Sequence, residues 1–258
     1  MATEAFRPAP VSGACDKIRL VFRKGGSLRW LSHHDLLRTF ERLLRRANLP
    51  VHHSGGFHPH ARLIFALSLP LGVVGLAEIV DIEMDEILDP GEVLQRIRAH
   101  CPPGLEILEA RRVAVHAGLR VTGLCYGLNV PVDHLPSLQH RLAEVLAASQ
   151  WIIERTRPPR RRFDIRPFLR DLRLDPISGR LEIDLHLLEA GTARPDEVLT
   201  LLGLSDLVDA GVPLERVRLD LYEPLNPDTL TPPAPPESLD SDEDLEPSAG
   251  EDSFKEAP

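Results

Sequence analysis

Residues 17–50 read KIRLVFRKGGSLRWLSHHDLLRTFERLLRRANLP, and this stretch decides the fold class. Lys17 to Phe22 alternates apolar and polar, the period-2 signature of a half-buried strand. Gly25-Gly26 breaks it. Ser32 then opens a helix that puts Leu36, Leu37, Phe40, Leu43, Leu44 and Ala47 on one face, and Asn48 and Pro50 stop it. A strand followed at once by an amphipathic helix suits an α+β unit.

Working outward, Leu63 to Leu69 and Glu78 to Met84 read as strands. Asp89-Pro90 opens a helix through His100, and Leu105 to Val113 closes the series as β-α-β-β-α-β. The second half follows the same order. Leu124 to Val130 is a strand and Leu135 to Ala148 a helix. Trp151 to Arg155 and Phe163 to Leu174 are extended, and Arg180 to Leu188 alternates after a turn at Ser178-Gly179. Pro195 to Leu202 is a helix and Val217 to Tyr222 the last strand. The expectation is two tandem ferredoxin-like (βαββαβ) units, residues 16–115 and 120–222, preceded by a flexible N-terminus over 1–15.

Charge divides the chain at a different place. Eleven of its 39 acids but only one of its 30 Lys and Arg residues lie between Glu223 and Pro258. The remainder is close to neutral, so the formal net charge of -9 belongs to the end of the chain. That segment is rich in Pro, Asp, Glu and Ser and predicts a disordered acidic tail over 223–258. Cys15, Cys101 and Cys125 lack metal-type spacing, which argues against a zinc ribbon or a cysteine-ligated cluster and suits a reducing cytoplasm. No apolar run approaches ~18 residues, so no membrane-spanning helix is expected. No secretory signal, phosphate-binding loop, nucleophile elbow or dinucleotide fingerprint is present.

Residues with reactive side chains gather between Arg29 and Arg62, where six of the 11 histidines lie: His33, His34, His52, His53, His58 and His60. Ser32-x-x-Asp35 is also a helix cap, which by itself accounts for both residues. Gly55-Gly56 suits a turn with positive φ. His33, Asp35 and His60, with Glu78 at a strand end facing a loop, are the candidate catalytic groups, and their convergence in one pocket is the central expectation. No metal is assigned. Arg38, Arg42 and Arg45 share a helix face, with Arg46 beside them and Arg62 flanking. They are candidate phosphate contacts, unless Glu41 pairs with Arg45 on an ordinary solvated face. Ser54 and Phe57 join them as candidate substrate contacts. Arg160, Arg161 and Arg162 form a second basic cluster within RTRPPRRRF, in a hairpin loop where Phe163 could stack on a base.

The stretch quoted above, continued by SGGFHPHARLIFALSLPLGVVGLAEIVDIEM over 54–84, resembles the radical-SAM-linked protein family, also named DUF2344. The residues that match are Ser32, His33, Asp35, Arg38, Arg42, Arg45, Arg46, Gly56, Phe57, Pro59, His60, Pro70, Leu71, Gly72 and Glu78. The likeness covers residues 17–113 well and the second half weakly. His34 and His58 depart from the pattern, which leaves His33 and His60 as the better pair. The resemblance implies a radical-SAM protein encoded nearby or fused, with the iron–sulfur cluster and SAM on that partner and no cofactor in this chain. The resemblance implies no established activity; the function expected is an accessory substrate-binding module for that partner, and the arginine clusters make RNA the candidate substrate. The alternatives are a stand-alone RNA-binding protein of tRNA or rRNA metabolism and, less favoured, an enzyme using His33, Asp35 and His60.

Overall fold

The computed structural model describes residues 13–155 and 160–222. The expectations for the 223–258 tail, for most of the N-terminal segment and for 156–159 lie outside the described residues. The first half runs β1 (Asp16–Lys24), α1 (His33–Arg46), β2 (Leu63–Phe65), β3 (Val74–Met84), α2 (Pro90–Arg98) and β4 (Leu105–Val113). The second runs β5 (Val121–Asn129), α3 (Leu135–Ala147), β6 (Ile152–Arg155), β7 (Arg161–Asp164), β8 (Leu169–Asp175), β9 (Arg180–His186), α4 (Pro195–Leu202), α5 (Ser205–Asp209) and β10 (Glu215–Leu221). Among the described residues no helix is long and apolar enough to cross a membrane.

Both halves contribute to one mostly antiparallel sheet, ordered β4-β1-β3-β10-β5-β9-β8, with β2 also on β3 and β6-β7 a separate ribbon. The seam is the parallel pair β3 and β10, in register where Glu215 and Arg216 face Val74 and Gly75. Helices are amphipathic where they meet the sheet. Ile18, Leu20 and Phe22 on β1 share a core with Val80, Ile82 and Met84 on β3 and with Leu36, Phe40, Leu43 and Leu44 on α1. Phe40 meets Phe22 and Phe65 edge-on, at 5.0 and 5.3 Å between centroids. A second core joins Leu124, Tyr126, Leu181 and Ile183 to Leu138, Val145, Val198 and Leu202. Burying side chains of this size is the main term that holds each helix on the sheet.

Several elements differ from the sequence reading. The strand at Leu63 ends at Phe65 rather than Leu69, because the carbonyls of Leu67 and Ser68 turn toward the Arg216 guanidinium. The next strand begins at Val74, four residues before Glu78. Residues 163–174 are not one strand. β7 pairs with β6, a 3₁₀ turn over Arg166–Phe168 follows, and β8 pairs with β9. Asp164 forces that break by accepting from the amides of Trp151 and Arg166, and Pro167 has no amide for a ladder. The last alternating strand ends at His186, and α5 is too short to carry a helical period in sequence.

Candidate functional site

α1 starts as its cap predicts. Ser32 Oγ accepts from the Asp35 amide at 3.2 Å and donates to Asp35 Oδ2 at 2.7 Å. The pair satisfy one another, and Arg38 stands 3.8 Å from Asp35. His33 packs edge-on against Phe65 at 5.3 Å, while His34 is exposed. The first turn is thus occupied by capping and packing.

The expected convergence with the glycine-bearing bend does not occur there. The bend returns beside the later half of α1, where His60 Nδ1 lies 3.7 Å from Glu41 Oε1. Glu41 is eight residues beyond His33, about 12 Å of helix rise at 1.5 Å per residue. His60 therefore keeps company with Glu41, not with His33 and Asp35. The reason is the bridges Val51 to Met84 and His53 to Ala61, which lay the returning chain antiparallel to its outgoing arm and fix where it turns. Ser54 closes the bend: its amide donates to the His60 carbonyl at 2.9 Å and its hydroxyl accepts from the His60 amide at 3.1 Å. Gly56 takes a φ of 111° at the tip, which favours glycine. Phe57 next to it is fully exposed. The candidate Arg62 is held by Glu83 at 3.2 Å, and His52 Nδ1 lies 2.6 Å from Asp85 Oδ1.

Between α1 and the bend lies a hollow of about 360 Å³. Leu44, Leu49, Val51 and Pro59 supply apolar surface, and Glu41, Arg45, Asn48, His53 and His60 supply polar groups. Glu41 faces this hollow instead of pairing with Arg45, a correction to the simple helical-face reading.

The arginines separate into two groups. Fifteen of the described ones other than Arg38 reach a carboxylate, from Arg19 on Asp81 at 2.7 Å to Arg180 on Glu215 at 2.7 Å. Arg98 and Arg166 bond backbone carbonyls, and Arg29 lies over the Trp30 ring at 4.9 Å. The rest are Arg42, Arg45, Arg46, Arg160 and Arg162. None of these five has a carboxylate partner among the described residues, and all are exposed. Arg42 touches only Thr39 Oγ1, at 3.2 Å. Arg161 sits in β7 opposite Arg155. Phe163 does not serve as an open stacking platform, because Phe168 stacks on it at 5.1 Å and Arg155 covers it at 3.9 Å.

Glu78 is not a loop-facing surface acid. It is buried in β3 and takes a two-pronged ion pair from Arg216 on β10, with Nε donating to Oε1 at 2.8 Å and Nη2 to Oε2. Arg216 also donates to the carbonyls of Ser68 and Leu67, each at 3.1 Å. Gly75 is required here, since a Cβ would come within 2.5 Å of Glu78 Cγ. Lys24, also buried, donates to the Leu31 carbonyl at 3.0 Å. Burial lowers its pKa, and the Glu78 charge partly offsets that. Above this cluster a cavity of about 690 Å³ opens between the 67–73 loop and α4, with Tyr126 and Arg216 lining it. Burial raises the Tyr126 phenol. Sequence reading missed Arg216 and Tyr126. The only signal was an arginine at an inward position of β10, and its partner is 138 residues away.

Compared with known proteins, residues 17–195 match the family described as "Uncharacterized protein conserved in bacteria (DUF2344)". No curated protein matches. Among solved structures the chain is similar to "Crystal Structure of an Unknown Protein from Galdieria sulphuraria", at 13% identity and a TM-score of 0.25. That likeness covers 81% of this chain and 99% of the other.

Proposed function

The chain belongs to the DUF2344 family, and from that premise we propose that it is an RNA-binding module that presents its substrate to a radical-SAM partner. The observation that carries the RNA half is the distribution of ion pairs. Among the described residues the exposed arginines that hold neither a carboxylate nor a backbone carbonyl, Arg42, Arg45, Arg46, Arg160 and Arg162, fall in the two basic clusters, on α1 and at β7. A guanidinium held without a carboxylate is free to fork onto a phosphate. We read the strand orders β4-β1-β3-β2 and β10-β5-β9-β8 as two ferredoxin-like units side by side, a layout that gives RNA one continuous scaffold.

The partner half rests on the family-type residues and on the chain's lack of a CxxxCxxC run, so that radical chemistry would come from outside these 258 residues. Both partners belong in the cytoplasm on this reading. The test is a salt titration of binding to single-stranded RNA, alongside co-purification with a radical-SAM protein encoded beside this one. Salt-dependent binding that weakens when Arg42, Arg45 and Arg46 are changed to Ala supports the RNA half. Binding that ignores salt or those residues refutes it. No association at micromolar concentration refutes the partnership.

A further inference from the structure

We infer that the hollow between α1 and the 54–61 bend is a base-binding pocket, and that the base it takes is an unpaired guanine. This rests on the RNA reading above and names what the same region recognises.

The carrying observation is Glu41 Oε1. It is buried and has no hydrogen-bond donor among the described residues. The His60 imidazole comes to 3.7 Å through Nδ1, beyond hydrogen-bond range. Among the described residues one other buried side-chain oxygen shares this lack, Asp184 Oδ1, but there the Arg170 guanidinium is at 3.5 Å and Arg218 holds the second oxygen. The Glu41 side chain keeps 27% of its surface exposed, so its unpartnered oxygen is an acceptor that a ligand bringing a donor can satisfy.

The surroundings specify that ligand. At about 360 Å³ the hollow has the size of a small-molecule site. Leu49, Val51 and Pro59 line it with apolar surface, and Arg45 and Asn48 line it with donors. His60 beside it is three-quarters exposed on an exposed loop, so a change of its rotamer opens the approach to that oxygen. Guanine is the base whose Watson–Crick edge carries two adjacent N–H donors, N1–H and the N2 amine, matching the two oxygens of one carboxylate. Its O6 acceptor can take a hydrogen bond from Arg45 or Asn48, which line the same hollow. Adenine, cytosine and uracil each set an acceptor lone pair beside their donor, against the carboxylate charge. Arg42, Arg45 and Arg46 lie on the same helix and hold the flanking phosphates.

The test uses the full chain with fluorescein-labelled single-stranded nonamers of uridine whose central residue is U, G, A, C or inosine, read by anisotropy at low salt. The expected result is binding of the G oligomer about tenfold tighter than the U, A or C oligomers, the scale of one bidentate base contact. Inosine, which lacks the N2 amine, falls between. Glu41→Gln abolishes the preference while the residual affinity stays at the wild-type U level. The thermal melt checks that the variant is folded. Equal binding of all five oligomers by the wild type overturns the pocket and leaves the arginine reading standing, as does a guanine preference that survives in Glu41→Gln. No binding of any oligomer overturns the RNA reading as well.

Discussion

Arg216→Met should unfold this protein more readily than any surface change, because of what it leaves behind. Arg216 is fully enclosed and Glu78 keeps only 4% of its side chain exposed. Removing the guanidinium strips Glu78 of two charge-assisted hydrogen bonds and frees the carbonyls of Leu67 and Ser68. Breaking a buried pair from one side costs about 3–5 kcal/mol. A protein of this size loses roughly 2–4 °C of Tm per kcal/mol, so a drop of about 6–20 °C is expected. The double variant Glu78→Leu with Arg216→Met removes both charges and should recover most of that loss, since replacing a buried pair by apolar groups is often neutral. Circular dichroism through a urea titration measures all three proteins. Arg216→Met within about 1 kcal/mol of wild type, or a double variant no better than the single, would show that the pair does not clamp β3 to β10.

Changing Arg42, Arg45 and Arg46 together to Ala should reduce the slope of log K against log salt for single-stranded RNA by about 2, at ~0.7 per lost phosphate contact. The same triple variant should melt within a few degrees of wild type, since none of the three holds a carboxylate among the described residues. Ser32→Ala should cost about 1 kcal/mol of stability by urea titration through loss of the α1 cap, with RNA affinity unchanged. Burial pushes the Cys125 thiol up to about 11 from its ordinary 9.0, so the folded state keeps that proton after the unfolded chain has lost it. Its contribution to stability is therefore complete below pH 9 and is lost between pH 9 and 11, and Cys125→Ala should flatten that alkaline decline in a urea series. An unchanged decline would refute the assignment.

The helix α1, its Ser32 cap, its apolar face and the alternating strands were legible in the chain, because they depend on neighbours one to four residues apart. The arginines that remain unpaired were legible as clusters but not as unpaired, since an ion pair such as Arg155 with Glu197 spans 42 residues. Glu78 was misplaced for the same reason: alternation puts it on a face, and only Arg216, far along the chain, says that the face is closed.

Local pattern thus determined the elements and the polar inventory of this protein. Tertiary structure decided which element meets which. The backbone bridges at Val51 and His53 set the returning bend beside Glu41 and away from the His33 turn, and the seam between β3 and β10 turned a surface acid into a buried clamp. Both outcomes come from pairing between distant strands, whose register is fixed by backbone hydrogen bonds and core packing across the sheet, quantities that no window of sequence contains.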